Sequence, residues 1–355
     1  MTIYIIYFFL VLIIPFICSA AIKNHRKAQE TALKILMFMM YLILALKGVS
    51  VGNDIEGYKA TYEFTKILSF SDFSYAAMES GYMFLMKVCN MIGMSFQLFA
   101  ALLYAIILYP IYLLIKRYSP NVMISVMVLL CLEYFVFTCS ALRQSVGISI
   151  CVLAFLLSEK LKGKKAFIYP LMIIILASFF HKSALIFIPL LFVIKLENRA
   201  ITYTSYVIVF GILFVSNRFF LNLNTEYNLS KYEYSEDLKL GLLFVFYCIM
   251  YVFNFFSNRL NKTTKEERQL NWRLSNIFFY ALIIMVAFNG SIFLRSAKYE
   301  LVFLSIIMPR AINAWDPGIR RIISLVYVSV LFYFFYALNL VPKVLNVVPY
   351  HFFFE

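Results

Sequence analysis

Continuous apolar runs, separated by short polar segments, fill almost the whole chain. Stretches of about 18 or more apolar residues recur, which is close to the length that an α-helix needs to cross a bilayer. The runs do not alternate between apolar and polar positions, so the pattern excludes the strands of a membrane β-barrel. It predicts twelve crossings, at about residues 2–22, 31–47, 95–115, 121–140, 143–158, 166–180, 183–196, 200–216, 239–257, 274–291, 296–312 and 322–341.

Two polar segments are predicted as outer loops. The first, 48–93, includes the short apolar run 81–93, which contains Lys87 and is interpreted as an amphipathic helix lying at the membrane interface. The second is 217–238. No segment is large enough for a soluble domain, so residues 1–355 are predicted to form a single membrane-embedded domain.

The distribution of charged residues sets the orientation of the predicted spans in the membrane. The chain is 63% hydrophobic and 14% charged, which excludes an ordinary soluble enzyme, and its net charge is +14. Under the predicted topology the cytoplasmic side holds 20 of the 32 Lys and Arg residues and six acids, with both termini outside. This positive-inside bias explains the basic charge without a nucleic-acid partner. The first run, 2–22, has its basic residues after it, so it is predicted to be a spanning helix and not a signal peptide.

The sequence contains no motif that is typical of a metal site or of a disulfide framework. The six cysteines include no Cys-x-x-Cys pair, and the three histidines are far apart. We therefore expect no metal site, and no cofactor is predicted.

Ionisable residues inside spans are the candidates for function, because placing them there costs several kcal/mol. Arg143, His181 and Arg295 each lie 14 to 16 residues from a cytoplasmic charge, or about 21–24 Å at about 1.5 Å per residue. Three hairpin tips at one depth predict a polar layer at the floor of an outward-facing, water-filled cavity. Glu133, in mid-span, is either a proton relay or a partner of an arginine such as Arg143, and the pairing is favoured.

Arginine binds phosphate and diphosphate through its planar fork of donors. Aromatic and acidic side chains in the outer loops suit sugars, because aromatic rings stack on sugar faces and carboxylates accept hydrogen bonds from hydroxyls. A sugar linked to a lipid through a diphosphate satisfies both requirements. Its lipid would lie in the bilayer, its diphosphate at the arginines and its glycan in the cavity.

Several segments between about residues 50 and 300 carry a family resemblance: Gly52-Asn53-Asp54-Ile55-Glu56-Gly57-Tyr58, Glu79-Ser80-Gly81-Tyr82, Ser140-Ala141-Leu142-Arg143-Gln144, Ser178-Phe179-Phe180-His181-Lys182-Ser183-Ala184-Leu185, and Arg295 with Tyr299. In these the sequence resembles the EpsG / Wzy-type polysaccharide polymerases of bacterial surface glycan assembly. The fold expected is an all-α polytopic membrane helical bundle of about 12 spans, with an outward-facing cavity like that of GT-C glycosyltransferases.

The resemblance implies a glycosyltransferase of the bacterial inner membrane whose site faces outward. Such an enzyme transfers a growing glycan from undecaprenyl diphosphate onto an incoming lipid-linked repeat unit, for O-antigen, capsule or exopolysaccharide. Its partners are the lipid-linked oligosaccharide, membrane lipid and a possible chain-length regulator protein.

Roles follow as hypotheses. Arg143 and Arg295 hold the donor diphosphate, and His181 positions or protonates it. Asp54 is the candidate base for the acceptor hydroxyl, with Glu56 second. The expected substrate contacts are Gln144, Lys298, Tyr58 and Tyr299.

Two other classes stay open. A flippase or transporter for lipid-linked oligosaccharides also has about twelve spans, but it needs polar residues in both halves of the membrane, whereas the candidates here cluster in the outer half. An O-antigen ligase typically has a larger outer loop than 217–238, and a membrane O-acetyltransferase should draw acyl-CoA from the cytoplasm. Deletion distinguishes a polymerase from a flippase, because single lipid-linked units accumulate outside in the first case and inside in the second.

Overall fold

The computed structural model describes residues 1–75, 78–132, 134–196, 198–223, 237–260, 264–287 and 291–355. Within these ranges the chain forms sixteen α-helices, and the isolated β-bridge among them joins Lys47 to Phe352. The predicted all-α class is therefore confirmed. The chain divides into two compact units, unit 1 with Met1–Leu185 and Ile322–Glu355, and unit 2 with Ile186–Arg321. The single membrane-embedded domain stays a prediction.

Unit 1 contains the first nine helices and most of the last. They are α1 (Thr2–Ala21), α2 (His25–Ala45), α3 (Ile55–Phe64), α4 (Ser80–Met91), α5 (Phe96–Tyr118), α6 (Val122–Cys131), α7 (Tyr134–Ser140), α8 (Leu142–Lys160), α9 (Lys165–Ser178) and α16 (Pro317–Tyr333). A π-helical stretch, Phe334–Leu340, continues α16, and a 3-10 turn, Lys182–Ile186, follows α9.

Unit 2 contains the remaining six helices. They are α10 (Phe187–Val193), α11 (Arg199–Leu223), α12 (Asp237–Leu260), α13 (Lys265–Ala287), α14 (Ser291–Leu301) and α15 (Leu304–Asn313). The amide donors at the start of α11 are capped by Asn198, whose side-chain oxygen accepts from Ala200 N at 2.9 Å and from Ile201 N at 3.3 Å.

Polar caps fix where three helices of unit 1 begin. Asn24 accepts a hydrogen bond from Lys27 N at the start of α2, Ser95 accepts from Leu98 N before α5, and Asn121 accepts from Ile124 N before α6. Each cap satisfies an amide that has no partner inside its helix, which is the reason Ser and Asn favour this position. The polar residues that separate the apolar runs therefore also set the helix starts.

Seven helices in the described ranges are long and apolar enough to cross a membrane: α1, α2, α5, α8, α12, α13 and α16. An eighth crossing forms if α6 and α7, whose axes are bent by 51°, act as one broken span. The chain is a multi-pass helical membrane protein.

The other predicted spans fall on shorter helical pieces. Over the predicted span 166–180, α9 has 14 residues, about 21 Å long, whereas the hydrocarbon layer is about 30 Å thick. The run 296–312 divides into α14 and α15, and 183–196 divides into a 3-10 turn and α10. The count of twelve crossings stays a prediction, because hydropathy detects apolar helices and not the breaks within them.

The structure describes most of the first predicted outer segment, 48–93, but only part of the second, 217–238. The run 81–93 is a helix, α4, with Tyr82, Met83 and Met86 buried and Phe84 exposed, and its position at the interface stays a prediction. Within the predicted loop 217–238, α11 continues to Leu223, and the outer location of this segment stays a prediction. Its residues 224–236 lie outside the described ranges.

Candidate functional site

Arg143 lies at the start of α8, directly after the break that ends α7, and forms an ion pair with Glu79. The side chains are 23% and 12% exposed, so the pair is mostly removed from water. Separating the two side chains would leave each charge mostly buried without its partner, which is unfavourable. The two groups therefore fix each other's positions. The expected partner Glu133 lies outside the described ranges, and the carboxylate that the structure gives Arg143 is Glu79.

Glu79 also links Arg143 to the turn that follows α9. Its Oε1 accepts a hydrogen bond from Lys182 N at 3.4 Å. Two residues further on, Gly81 N and Tyr82 N donate to the carbonyl oxygen of Phe179 at 3.0 and 3.3 Å. A Cβ at Gly81 would lie 2.8 Å from both Cβ and O of Phe179, so glycine allows this close approach. The start of α4 is thereby docked on the turn that carries His181.

His181 lies directly before the Lys182 amide in this turn. Its Nδ1 is 2.5 Å from Ser183 Oγ, which fixes the orientation of the imidazole ring. The side chain is half-buried, like that of Arg143. The structure thus brings the Arg143 and His181 segments together through Glu79, although 38 positions separate the two residues in the sequence.

Tyr58, in the predicted outer segment 48–93, lies beside the same arginine, and Asp54 precedes it by one helical turn. The Asp54 amide donates to Ser140 Oγ at 3.3 Å, at the end of α7. One helical turn later, the ring centroid of Tyr58 is 5.7 Å from the guanidinium carbon of Arg143. Burial raises the pKa of Tyr58, while the positive charge of Arg143 lowers it and the negative charge of Asp54 raises it. The charges of Asp54 and Arg143 therefore both act on the Tyr58 hydroxyl.

The loop that holds Asp54 is fastened by the C-terminal segment 344–353. Gly52 N donates to Asn346 O and Asn53 N donates to Leu345 O, each at 3.1 Å. Gly52 has a φ of +103°, and a Cβ there would collide with the carbonyl oxygen of Cys139. Nothing in the sequence pattern pointed to this C-terminal clamp.

The other predicted contacts lie in two places. In unit 1, Glu56 is exposed on α3 and Gln144 is buried directly after Arg143. In unit 2, α14 carries an exposed Arg295 and a buried Lys298 and Tyr299. The convergence of the α14 residues with Arg143 and His181 stays a prediction.

Sequence reasoning gave no role to two acids that the structure makes prominent. Glu79 belonged to a motif without being chosen as a site residue. Glu300 is fully buried, and neither of its carboxylate oxygens has a hydrogen-bond partner among the residues that the structure describes. An acid inside a predicted span is the criterion that selected Glu133, and the same signal applied to Glu300.

No group of three or more His, Cys, Asp or Glu side chains in the described ranges could hold a metal ion. The six cysteines are free thiols, and five of them are buried. The chemistry that the site of unit 1 offers is that of its own side chains: a guanidinium oriented by a carboxylate, an imidazole, a phenol and the nearby acid Asp54. Such a set can bind an anion and accept or donate a proton.

Comparison with known proteins identifies the family of the chain. The family model described as the EpsG family matches residues 30–352, which is nearly the whole chain. That range includes the helices α3, α4, α8 and α9 and the segment around Arg295. No curated protein and no solved structure matches the chain.

Proposed function

Because the chain belongs to the EpsG family, a family of Wzy-like polysaccharide polymerases, we propose that it polymerises lipid-linked repeat units at the outer face of the bacterial inner membrane. The donor is a growing glycan on undecaprenyl diphosphate, and the acceptor is an incoming lipid-linked unit. The product serves as O-antigen, capsule or exopolysaccharide, and a chain-length regulator is a possible partner.

The observation that carries this proposal is the ion-paired arginine of unit 1. The guanidinium has five N–H donors in a rigid fork. The Glu79 carboxylate and the Tyr58 ring hold that fork at the start of α8, beside the His181 turn and the Asp54 loop. A group that binds a diphosphate has to be positioned before the diphosphate arrives, and this pairing positions Arg143.

In the proposed reaction, an acceptor hydroxyl oxygen forms a bond to the anomeric carbon of the donor glycan. The bond from that carbon to the diphosphate oxygen breaks, and its electron pair leaves with undecaprenyl diphosphate. The hydroxyl proton passes to the Asp54 carboxylate, with Glu56 as the second candidate. General-base assistance of this kind is typically worth about 10²–10⁴-fold in rate.

Arg143 stabilises the negative charge that develops on the leaving diphosphate, and Arg295 of unit 2 is the second proposed cation. His181 positions the diphosphate or gives it a proton. Gln144, Tyr58, Lys298 and Tyr299 are proposed substrate contacts. Stabilisation of developing charge by one oriented donor is typically worth about 10²–10³-fold.

The test is the length distribution of surface polysaccharide from a deletion strain complemented with Arg143→Ala. We expect the ladder of long chains to collapse to one repeat per anchor, a loss of about 100-fold or more in chain lengthening. The matched control is Arg117→Ala, which removes an exposed arginine at the end of α5. It should keep the ladder, because its guanidinium lies in the last turn of that helix, 5.3 Å from the Tyr118 ring centroid, and has no part in the proposed site.

Long chains retained by Arg143→Ala, at normal membrane levels, would remove this residue from the site. The location of the accumulated single units decides between two classes of activity. Units on the outer face support polymerisation, whereas units held on the inner face would indicate a flippase and overturn the proposal.

A further inference from the structure

Lys47 is a buried lysine at the base of the loop that holds Asp54, and the proposed reaction gives it no role. It follows the end of α2 at Ala45 and is 4% exposed. Its Nζ donates a hydrogen bond of 2.5 Å to the carbonyl oxygen of Val51 and lies 5.9 Å from the ring centroid of Tyr104. A carbonyl dipole and an aromatic face therefore both stabilise the ammonium group.

The main chain of Lys47 is fixed by two other parts of unit 1. It forms the antiparallel β-bridge with Phe352 of the C-terminal segment. Its carbonyl oxygen accepts a hydrogen bond of 3.3 Å from Nε2 of Gln97, at the start of α5. Because the backbone of Lys47 is held in this way, its side chain in turn sets the position of the Val51 carbonyl.

The Val51 carbonyl belongs to the turn at Gly52, which comprises residues 51–54. Val51 is fully buried, and its carbonyl oxygen is the atom through which Lys47 reaches this turn. The turn ends at Asp54, whose amide is bound to the end of α7. A displacement of the Val51 carbonyl therefore moves the Asp54 carboxylate relative to α7.

Keeping a charged amine at this position is costly, because burial disfavours the protonated form. Burial lowers the pKa of Lys47 from its ordinary value of 10.5 to about 8, and the nearby Cys139 thiol of α7 acts in the opposite direction. A charged donor makes a hydrogen bond roughly twice as strong as that of a neutral donor. The Val51 carbonyl is therefore held firmly below about pH 8 and weakly above it.

The other titratable groups around Lys47 come from three elements. The Tyr104 phenol of α5 and the Cys139 thiol of α7 are buried, and burial favours the neutral form of both. In the C-terminal segment, the ring of His351 is half-exposed and lies 3.5 Å from a carboxylate oxygen of Glu355. Titration of Lys47 is therefore the charge change nearest to the Val51 carbonyl.

We propose that Lys47 is a positioning residue for Asp54 and that chain lengthening requires its ammonium form. The ammonium group holds the turn at Gly52 through the Val51 carbonyl, and this turn presents the Asp54 carboxylate to the acceptor hydroxyl. The inference rests on the proposed polymerase function, since it assigns Asp54 its task in that reaction.

Titration of Lys47 has opposite effects on activity and on stability. Activity should fall by about tenfold between pH 7 and 9, because one unit above its pKa about a tenth of the group stays protonated. The pKa of Lys47 is lower in the folded chain than its ordinary value, so between about pH 8 and 10.5 the unfolded chain binds more protons. Stability therefore rises with pH in this window, whereas a lysine with only a structural role would make activity follow stability.

The test adds purified full-length protein to membranes of a deletion strain, which supply lipid-linked units, and measures the ladder from about pH 6.5 to about 9.5. Thermal unfolding of the same preparations measures stability over the same range. Lys47→Met removes the charge, so it should lower chain lengthening by about 10- to 100-fold at pH 7 and abolish the decline near pH 8.

Lys47→Arg keeps a charged donor that stays protonated, so it should retain its ladder at about pH 9, where the wild type has lost most of its activity. The matched control is Lys59→Met, which removes an exposed lysine of α3 and should reproduce the wild-type profile. The wild-type profile is itself a measurement of the proposal, so the test holds even where a variant does not fold.

We expect the stability of the wild type relative to Lys47→Met to rise from about pH 8 to about 9.5 while the wild-type ladder shortens. A normal ladder in Lys47→Met, or a wild-type ladder that is unchanged across this range, would overturn the role of Lys47. Activity and relative stability that change in the same direction would reduce Lys47 to a structural residue. Absence of a wild-type ladder at every pH would instead overturn the proposed function, and this role with it.

Discussion

The guanidinium of Arg143 contacts a carboxylate on one side and an aromatic ring on another, and this arrangement decides what the arginine can do. The Glu79 carboxylate also accepts a hydrogen bond from the Lys182 amide, so it both pairs with Arg143 and holds the turn after α9. Because an arginine offers five donors, one carboxylate leaves capacity for a diphosphate. Glu79 is therefore a positioning residue for Arg143.

Replacing Glu79 with glutamine should lower chain lengthening by about 10- to 100-fold, because a displacement of about 1 Å at a binding group has effects of this size. Glutamine keeps the shape and can still accept from Lys182, but it loses the charge that orients Arg143. The measurement is the polysaccharide ladder together with the amount of folded protein in the membrane. Glu79→Asp, which restores the charge, should recover part of the activity.

The matched control for this variant is Glu63→Gln. Glu63 pairs with Lys66 across side chains that are 47% and 59% exposed. Exposed pairs contribute about 0–1 kcal/mol, so this change should leave both stability and the ladder unaltered. If Glu79→Gln behaves like Glu63→Gln, Glu79 does not position Arg143.

At the residue scale, the sequence selects individual groups but not their contacts, and the roles of these groups stay predictions. Arg143 and His181 were selected because charge inside an apolar run is costly, and that cost is visible in one dimension, whereas Asp54 was selected through the family resemblance. The link through Glu79 was not found, because 64 residues separate it from Arg143 and pairing leaves no local signal.

The contact between α4 and the turn after α9 shows how one small residue sets the distance between two elements. Gly81 and Tyr82 both donate their amides to Phe179 O. The site depends on this contact, since it brings Glu79 to Lys182 and to Arg143. Any side chain at Gly81 has to push the two segments apart.

Gly81→Ala should therefore weaken the site and the fold together. Its Cβ would meet Phe179 at 2.8 Å, including backbone, so we expect a loss of about 1–3 kcal/mol in stability and a shortened ladder. The comparison is Gly57→Ala in α3, where nothing lies within 4 Å of the added Cβ. Alanine is the better helix former, so that change should be neutral or slightly stabilising. Thermal unfolding of both purified variants tests the contrast, and equal stability would contradict the close approach.

At the element scale, each predicted apolar run corresponds to helical structure, and the polar caps mark several starts. The breaks were not predictable from hydropathy. The run 121–140 divides into α6 and α7 although Glu133 is its only charged residue, and Phe179 and Phe180 form a turn although both are apolar. Packing decides these turns, and packing involves residues from other parts of the chain.

At the scale of the whole molecule, the last residues of the chain close the site built by the first half. The segment 344–353 donates or accepts backbone hydrogen bonds at Leu46, Gly48, Gly52 and Asn53. These contacts link positions about 300 residues apart, and backbone carbonyls carry no sequence signature. Composition and spacing could not have revealed them, whereas the family match through residue 352 includes all but the last residue of this segment.

Two tyrosines of α1 separate the role of this closure from general stability. Tyr4 and Tyr7 are each 1% exposed, and each donates a hydrogen bond of 2.8 Å to a backbone carbonyl. Tyr4 reaches Val347 in the C-terminal segment, whereas Tyr7 reaches Leu36 of α2. Phenylalanine at either position removes one buried hydrogen bond, so both variants should lose about 1 kcal/mol.

Only Tyr4→Phe should also reduce chain lengthening, because it loosens the segment that fastens the Asp54 loop against α7. The comparison requires thermal unfolding to establish equal stability and the polysaccharide ladder to report activity. A shortened ladder in Tyr4→Phe beside a normal one in Tyr7→Phe would assign the C-terminal segment a part in positioning the site. Equal ladders at equal stability would restrict that segment to a role in folding, and Asp54 would then be held by Ser140 and the turn at Gly52 alone.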